Sequence, residues 1–271
     1  MKKLIRKLAP KGISRFLLRR KYEGRYAVLH SENIRTGRVV SPVCGNPAQA
    51  SLLRGYLDDT FAGTVSVDGT QVHLREAAII RVPSNYEQYL DDVGPKTRNM
   101  IRKAERSGVV FREFDWNERL DDIYEINRSS ETRQGHRMTA GYRNYPERVD
   151  PAERSTYGIL HIGGFVGHKL VAYVEMYVCG NFAFVNRILG HKEYLNTGVM
   201  NGLVAASVRH GMKNGIDYIN YLMMEDREHD TLSGFKYRVG FRPFSVLTVT
   251  SETAPTHVGA RVASREHKGP V

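Results

Sequence analysis

The stretch VGPKTRNMIRKAERSGVVF, residues 93–111, sets Lys96, Arg98, Arg102, Lys103 and Arg106 against a single acid, Glu105. Three readings compete for this charge: a nucleic-acid contact, an anchor for an anionic substrate, and the wet face of a helix. Thr97, Met100, Ile101 and Ala104 recur at the spacing of one helical face while the basic residues take the remaining arc, so the segment reads as an amphipathic helix. Gly108 stands where a helix takes a left-handed C-terminal residue, and Val109, Val110 and Phe111 switch to strand formers. The unit is helix, glycine stop, strand, and its neighbours decide what the charge is for.

At 271 residues, with 41% hydrophobic and 10% aromatic side chains, the chain can bury a sizeable core as one large or two small domains. The net charge of +11 points to an anionic partner, but residues 1–25 hold ten basic side chains and one acid, a local +9 that leaves only +2 for the rest. The arm MKKLIRKLAPKGISRFLLRRK carries apolar stripes (Leu4, Ile5, Leu8; Ile13, Phe16, Leu17) around Pro10 and Gly12. It suits an anionic membrane surface, docking on its own domain, or a transit peptide. No later segment reaches the length of a membrane span. Cys44 and Cys179 are far apart and the ten histidines form no HExxH or HxxxH pattern, so buried thiols, a reducing cytoplasmic compartment and no metal are expected.

Beyond the arm, short strands near 26–30, 38–43, 64–67, 71–75 and 77–82 surround a helix near 47–60. The run from 93 onward reads strand 109–114, helix 117–133, a polar loop, strand 156–162, strands KLVAYVEMYV and FAFVNRIL, helix 198–214, strand 216–222, helix 230–239 and strand 244–250. The tail from Ser251 is small, polar and unpatterned, as disordered segments are. The order predicts an α/β fold with a central mixed, mostly antiparallel sheet flanked by helices. Its parts are a basic arm (1–21), a small mixed N-terminal portion (22–92), a core (93–250) and a tail (251–271).

Three segments in this order, GPKTRNMIRKAERSGV, LNTGVMNGLVAASVRHGMKNGIDYINY and GFKYRVGF, resemble the GNAT-fold acyltransferases of the FemAB-like and BioF2-like (CelD-like) branch over roughly residues 84–250. The resemblance implies transfer of an acyl or aminoacyl group to an amine acceptor: a small molecule, a peptide or a lipid-linked precursor. The co-substrate it implies is acyl-CoA, an acyl carrier protein thioester or aminoacyl-tRNA, with no tightly bound cofactor. Members that use coenzyme A usually carry a Q/RxxGxG/A loop before the helix, whereas this chain has Gly198 and Gly202 without that pattern, which keeps a tRNA donor open.

Such chemistry needs a cradle for the donor's anionic handle, donors to its carbonyl, a proton acceptor and an amine pocket. Asn196, Thr197, Gly198 and Val199 open a helix whose free N–H groups suit a phosphate, or they are an ordinary helix start capped by Thr197. Alternation along KLVAYVEMYV puts Tyr173, Glu175 and Tyr177 on one face and Leu170, Ala172, Val174 and Met176 on the other. Burial there would raise the Glu175 pKa towards that of a general base; the alternative is a partner for Arg187 on the next strand. Glu225 and Asp226 lie in a loop of the kind that carries function.

Lys236, with Tyr237 beside it, is the catalytic assignment the resemblance implies, as a cation for a donor phosphate or an oxyanion; a surface lysine with a buried stem is the plain alternative. Arg133 and His136 are expected at the acceptor wall, or as cations at a helix C-terminus. Arg98 and Arg102 are expected at the acceptor side too, or on a solvated face. A different class of function is a non-catalytic protein of the same fold that binds anionic membrane, at the inner face, or nucleic acid through its arm.

Overall fold

The computed structural model describes residues 39–40, 42–61, 64–67, 70–73, 76–133, 136–224 and 231–246. The arm, the strand expected at 26–30, Glu225, Asp226 and the tail lie outside them. Twelve strands and seven helices are described: β1 (Val39–Val40), α1 (Pro47–Phe61), β2 (Thr64–Val67), β3 (Thr70–His73), β4 (Ala77–Arg81), α2 (Tyr86–Arg106), β5 (Val109–Glu113), α3 (Leu120–Arg128), β6 (Thr132–Arg133), β7 (His136–Arg137), α4 (Ala140–Arg143), α5 (Pro151–Tyr157), β8 (Ile159–Val166), β9 (Lys169–Cys179), β10 (Phe182–Gly190), α6 (Val199–Lys213), β11 (Tyr218–Met223), α7 (Thr231–Arg238) and β12 (Arg242–Val246). Short 3₁₀ turns precede α3 and α6.

Eight strands form one sheet in the order β1-β12-β4-β11-β10-β9-β8-β5. Only β1 with β12 and β10 with β11 run parallel; the rest of the sheet is antiparallel. The expected mixed α/β class is therefore what the chain adopts. Strands β1 and β4, from the portion before residue 93, belong to this sheet, β1 at its edge and β4 within it.

Alternation along the strands divides the core between two faces. On one, Tyr89, Val93, Ile101 and Ala104 of α2 and Val199 and Leu203 of α6 pack on Ile162, Val174, Met176, Val185 and Ile219. On the other, α1 covers Ile79, Phe182 and Phe184 through Leu53, Leu57 and Phe61, and α3 covers Tyr173 and Leu189 through Ile123 and Ile126. Burying each such side chain stabilises the fold by about 1.5–3 kcal/mol. Leu170 departs from the expected alternation and joins the Tyr173 side, because a bulge inserts Val171 between the pairs Gly164↔Ala172 and Phe165↔Leu170.

Helix α2 begins earlier than the stripe alone shows, at the Asn85 cap, whose Oδ1 accepts from the Gln88 amide. It kinks at Gly94 (φ 75°) and Pro95. In the turn before the break, Arg98 Nη1 donates to the Leu90 carbonyl at 2.8 Å. The helix closes on Gly108 at φ 77°. Two features escaped the sequence pattern. Asp150 caps α5 through the Ala152 amide, delaying β8 to Ile159, and a β6–β7 hairpin shortens the helix expected to reach 133.

No helix among the described residues is long and apolar enough to cross a membrane.

Candidate functional site

The three signature segments meet at α2. Thr97 Oγ1 donates to the Arg238 carbonyl (2.9 Å) and Tyr89 Oη to the Val239 carbonyl (3.0 Å), fixing the end of α7. At the other end of α2, Lys103 Nζ donates to the Asn196 carbonyl at 2.6 Å. Beside it, a Cβ on Gly198 would stand 2.2 Å from the Met100 carbonyl oxygen. Gly198, at φ 87°, is the cap residue of α6, so the expectation that Thr197 caps and Gly198 sits inside the first turn is corrected. Thr197 instead turns its hydroxyl back to the Tyr194 carbonyl (2.7 Å). Asn196 is exposed, Val199 is buried, and no side chain caps the first turn of α6.

The parallel pair β10–β11 is joined by the α6 crossover, and its ladder is short. It runs from Phe182↔Tyr218 to Phe184↔Asn220, while β10 continues to Gly190 and β11 to Met223. Both strands become irregular where pairing stops. Asn186 is an extra residue in β10, between the pairs Val185↔Met176 and Arg187↔Glu175. In β11, Leu222 takes a left-handed backbone (φ 55°), a conformation that costs a branched side chain free energy. Asn220 holds that backbone: its Nδ2 donates to the carbonyls of Ala78 and Leu222 (both 3.0 Å), and its Oδ1 accepts from the hydroxyl of the half-buried Tyr56.

Lys236 lies at this end of β11. It is 2% exposed, so the reading of a surface lysine is overturned. Its Nζ donates to the Met223 carbonyl at 2.7 Å and stands 4.8 Å from the Tyr221 ring centre, a cation over an aromatic face. The Tyr237 ring lies under the Arg242 guanidinium (5.7 Å), which also donates to the Tyr237 carbonyl.

Glu175 occupies the opposite face. Register sets His161, Glu175 and Arg187 in one row across β8, β9 and β10. Glu175 Oε2 meets His161 Nε2 at 3.2 Å; Oε1 accepts from Asn186 Nδ2 and pairs with Arg187 Nε at 3.4 Å. Burial by itself would raise the Glu175 pKa, but the His161 bond, the Arg187 charge and the Asn186 bond outweigh it and hold the carboxyl below its ordinary value. The expected upward shift is thus reversed, and the pairing with Arg187 is the geometry found. Trp116 stacks near His161 (4.8 Å between ring centres), and Tyr173 Oη donates to Asn127 Oδ1 at 2.7 Å.

Arg133 Nη1 donates to the Gly190 carbonyl (3.0 Å) and Nη2 to that of Ile126 (3.1 Å), as a cation at the C-terminal end of α3 would. His136 pairs with Arg133 across the β6–β7 hairpin. Arg98, spent on Leu90 and on Asp91 (3.6 Å), belongs to the kink of its own helix, and Arg102 is exposed. Lys236 and Glu175 are thus on opposite faces of the sheet, each near the point where β10 and β11 part. His161, Asn186, Asn220 and Tyr56 were not singled out from sequence; the clues were a histidine inside ILHIGGFV and a polar pair inside FAFVNRIL.

No family model matches the chain, and no curated protein matches it. Solved structures similar to it include the C-terminal domain of a putative lysylphosphatidylglycerol synthetase from Agrobacterium fabrum (13% identity, TM-score 0.45, 63% of this chain and 58% of that one). FemX is similar at 10% identity and TM-score 0.48, over 63% of this chain and 59% of FemX. A PaiA N-acetyltransferase from Thermoplasma acidophilum, solved with coenzyme A, matches at 19% identity and TM-score 0.39, over 51% of this chain and 96% of the other. The alignment covers less than two thirds of the first two proteins.

Proposed function

We propose that this chain is an N-acyltransferase of GNAT type that moves an acyl or aminoacyl group from an activated donor to an amine. The observation that carries the reading is the parting of β10 and β11 beyond Phe184↔Asn220, with the buried Lys236 ammonium at its β11 side. An extended donor arm can add its own hydrogen bonds between strands that have separated. The order of the three signature segments, now found clasped by α2, supports the same assignment.

In this reading the α2/α6 face takes the donor. Asn196, Thr197, Gly198 and Val199 offer the first amides of α6, with Lys103 alongside, to a phosphate of coenzyme A, of an acyl carrier protein arm or of a tRNA 3′ end. The amine nitrogen forms its bond to the acyl carbon, and the carbonyl pair moves onto oxygen. Lys236, released from the Met223 carbonyl or sharing its protons with it, stabilises that oxyanion. Collapse expels the thiolate or the ribose oxygen, which leaves with the proton given up by the amine. Tyr237 belongs to the wall of the same helix. Glu175, with a lowered pKa and its oxygens engaged, acts through Arg187 rather than as the base.

Thermal-shift measurements on the full chain with coenzyme A, acyl-CoAs and aminoacyl-tRNAs test the reading. One donor class raises Tm, and Lys236→Met then lowers transfer by about 10²–10³-fold while leaving the circular dichroism spectrum intact. Lack of stabilisation by either class, or unchanged turnover in Lys236→Met, sinks it.

A further inference from the structure

Resting on the proposed transfer reaction, we infer that the face of the sheet opposite Lys236 holds an anion site built on Arg187, and that the amine acceptor carries a carboxylate or phosphate read by it. The bulge at Asn186 turns both Asn186 and Arg187 towards Glu175. Glu175 meets the guanidinium at its inner edge: the closest approach is Nε, at 3.4 Å. Among the described residues, neither Nη of Arg187 has a hydrogen-bond partner, and the side chain keeps 23% of its surface in solvent. A guanidinium ion-paired through Nε with its two outer nitrogens unspent has the fork that a carboxylate or phosphate binds in bidentate fashion.

The surroundings favour an anion over a cation. Arg133 adds a second half-buried positive charge; Tyr142 and Tyr173 lie within electrostatic range of both guanidiniums. Arg133 has committed its Nη groups to carbonyls, so it supplies field rather than a second fork. Against these two charges the facing row contains one acid, Glu175, already bonded to His161 and Asn186. Trp116 borders the fork, with the Arg187 Cζ 5.8 Å from its ring centre, and turns its own Nε1 away to the Glu147 carbonyl. Because the donor's phosphate cradle at α6 lies on the other face, an anion here belongs to the second substrate.

Trp116 is the chain's only tryptophan, so its fluorescence reports on this site. The full chain is titrated with 2-aminoethyl phosphate, with β-alanine and with neutral ethanolamine at constant ionic strength. A saturable change with the phosphate identifies a phosphorylated acceptor and one with β-alanine a carboxylated acceptor; ethanolamine gives neither. Arg187→Gln weakens that binding at least tenfold, the size expected for a lost bidentate charge-assisted contact of about 1.5–3 kcal/mol. Should Arg187→Gln unfold by stranding Glu175, the Arg187→Gln/Glu175→Gln pair removes both charges and serves in its place. Equal responses to all three amines, or equal binding by the variant, overturn the site. No donor is present in this titration, so it reads the anion site by itself; saturable anion binding followed by no transfer once the acyl-CoAs and aminoacyl-tRNAs are added would count against the acyltransferase reading alone.

Discussion

Glu175 and Lys236 are both charged groups withdrawn from water near one sheet, yet they are held in opposite ways. Glu175 sits in the middle of three paired strands, with His161 and Arg187 delivered by register and Asn186 by a bulge. Lys236 sits on a short helix at the frayed end of a ladder, bonded to a backbone carbonyl beside a left-handed leucine. A buried charge saturated by fixed neighbours is part of the framework, whereas one placed where pairing fails can exchange its partner for a substrate. On the proposed reaction, the contrast separates a supporting group from a reacting one.

The largest effect that tests this contrast is on stability. Glu175→Ala strands Arg187 and His161 and is expected to cost about 3–5 kcal/mol, read as a drop in urea midpoint. Lys236→Met, by comparison, should lower transfer by about 10²–10³-fold, the loss typical of one oxyanion donor, with a smaller change in that midpoint. If the two variants exchanged these phenotypes, the contrast would be inverted.

Gly198→Ala places a methyl against the Met100 carbonyl at a positive φ, a strain of about 1–3 kcal/mol, and should lower Tm and weaken donor binding together. Acid sharpens the role of Glu175. Its folded pKa lies below the unfolded value, so its contribution is complete at neutral pH and fades as pH falls below the ordinary carboxylate range through the lower folded value. Glu175→Gln should flatten that acid limb of the stability profile. The smallest effect is expected from Thr97→Val, which removes one hydrogen bond to the Arg238 carbonyl and costs about 1 kcal/mol in chemical denaturation.

Much of the fold was legible because apolar alternation and helical stripes are local signals. KLVAYVEMYV and FAFVNRIL became β9 and β10 within a residue or two, and GPKTRNMIRKAER became the second half of α2. What the pattern did not reveal depends on caps or on register. Asn85 starts α2 in a polar stretch, and Asp150 with Pro151 starts a helix too short to show a stripe. For the site, the sequence pointed to Lys236 and to the Arg187 pairing. It gave the wrong direction for the Glu175 pKa, because burial can be inferred from a strand pattern but the His161 and Asn186 contacts cannot. Those depend on a three-strand register and on a bulge that no alternation announces.

The clasp made by α2 also bears on how the molecule comes to be made. Tyr89 and Thr97 reach partners 150 and 141 residues further along the chain. During synthesis at about 5–20 residues per second, the helix waits roughly 8–30 s for the carbonyls it must hold. Its Tyr89–Ala104 face lacks its α7 partners for that interval. The clasp of VGPKTRNMIRKAERSGVVF is thus among the last contacts the chain can make.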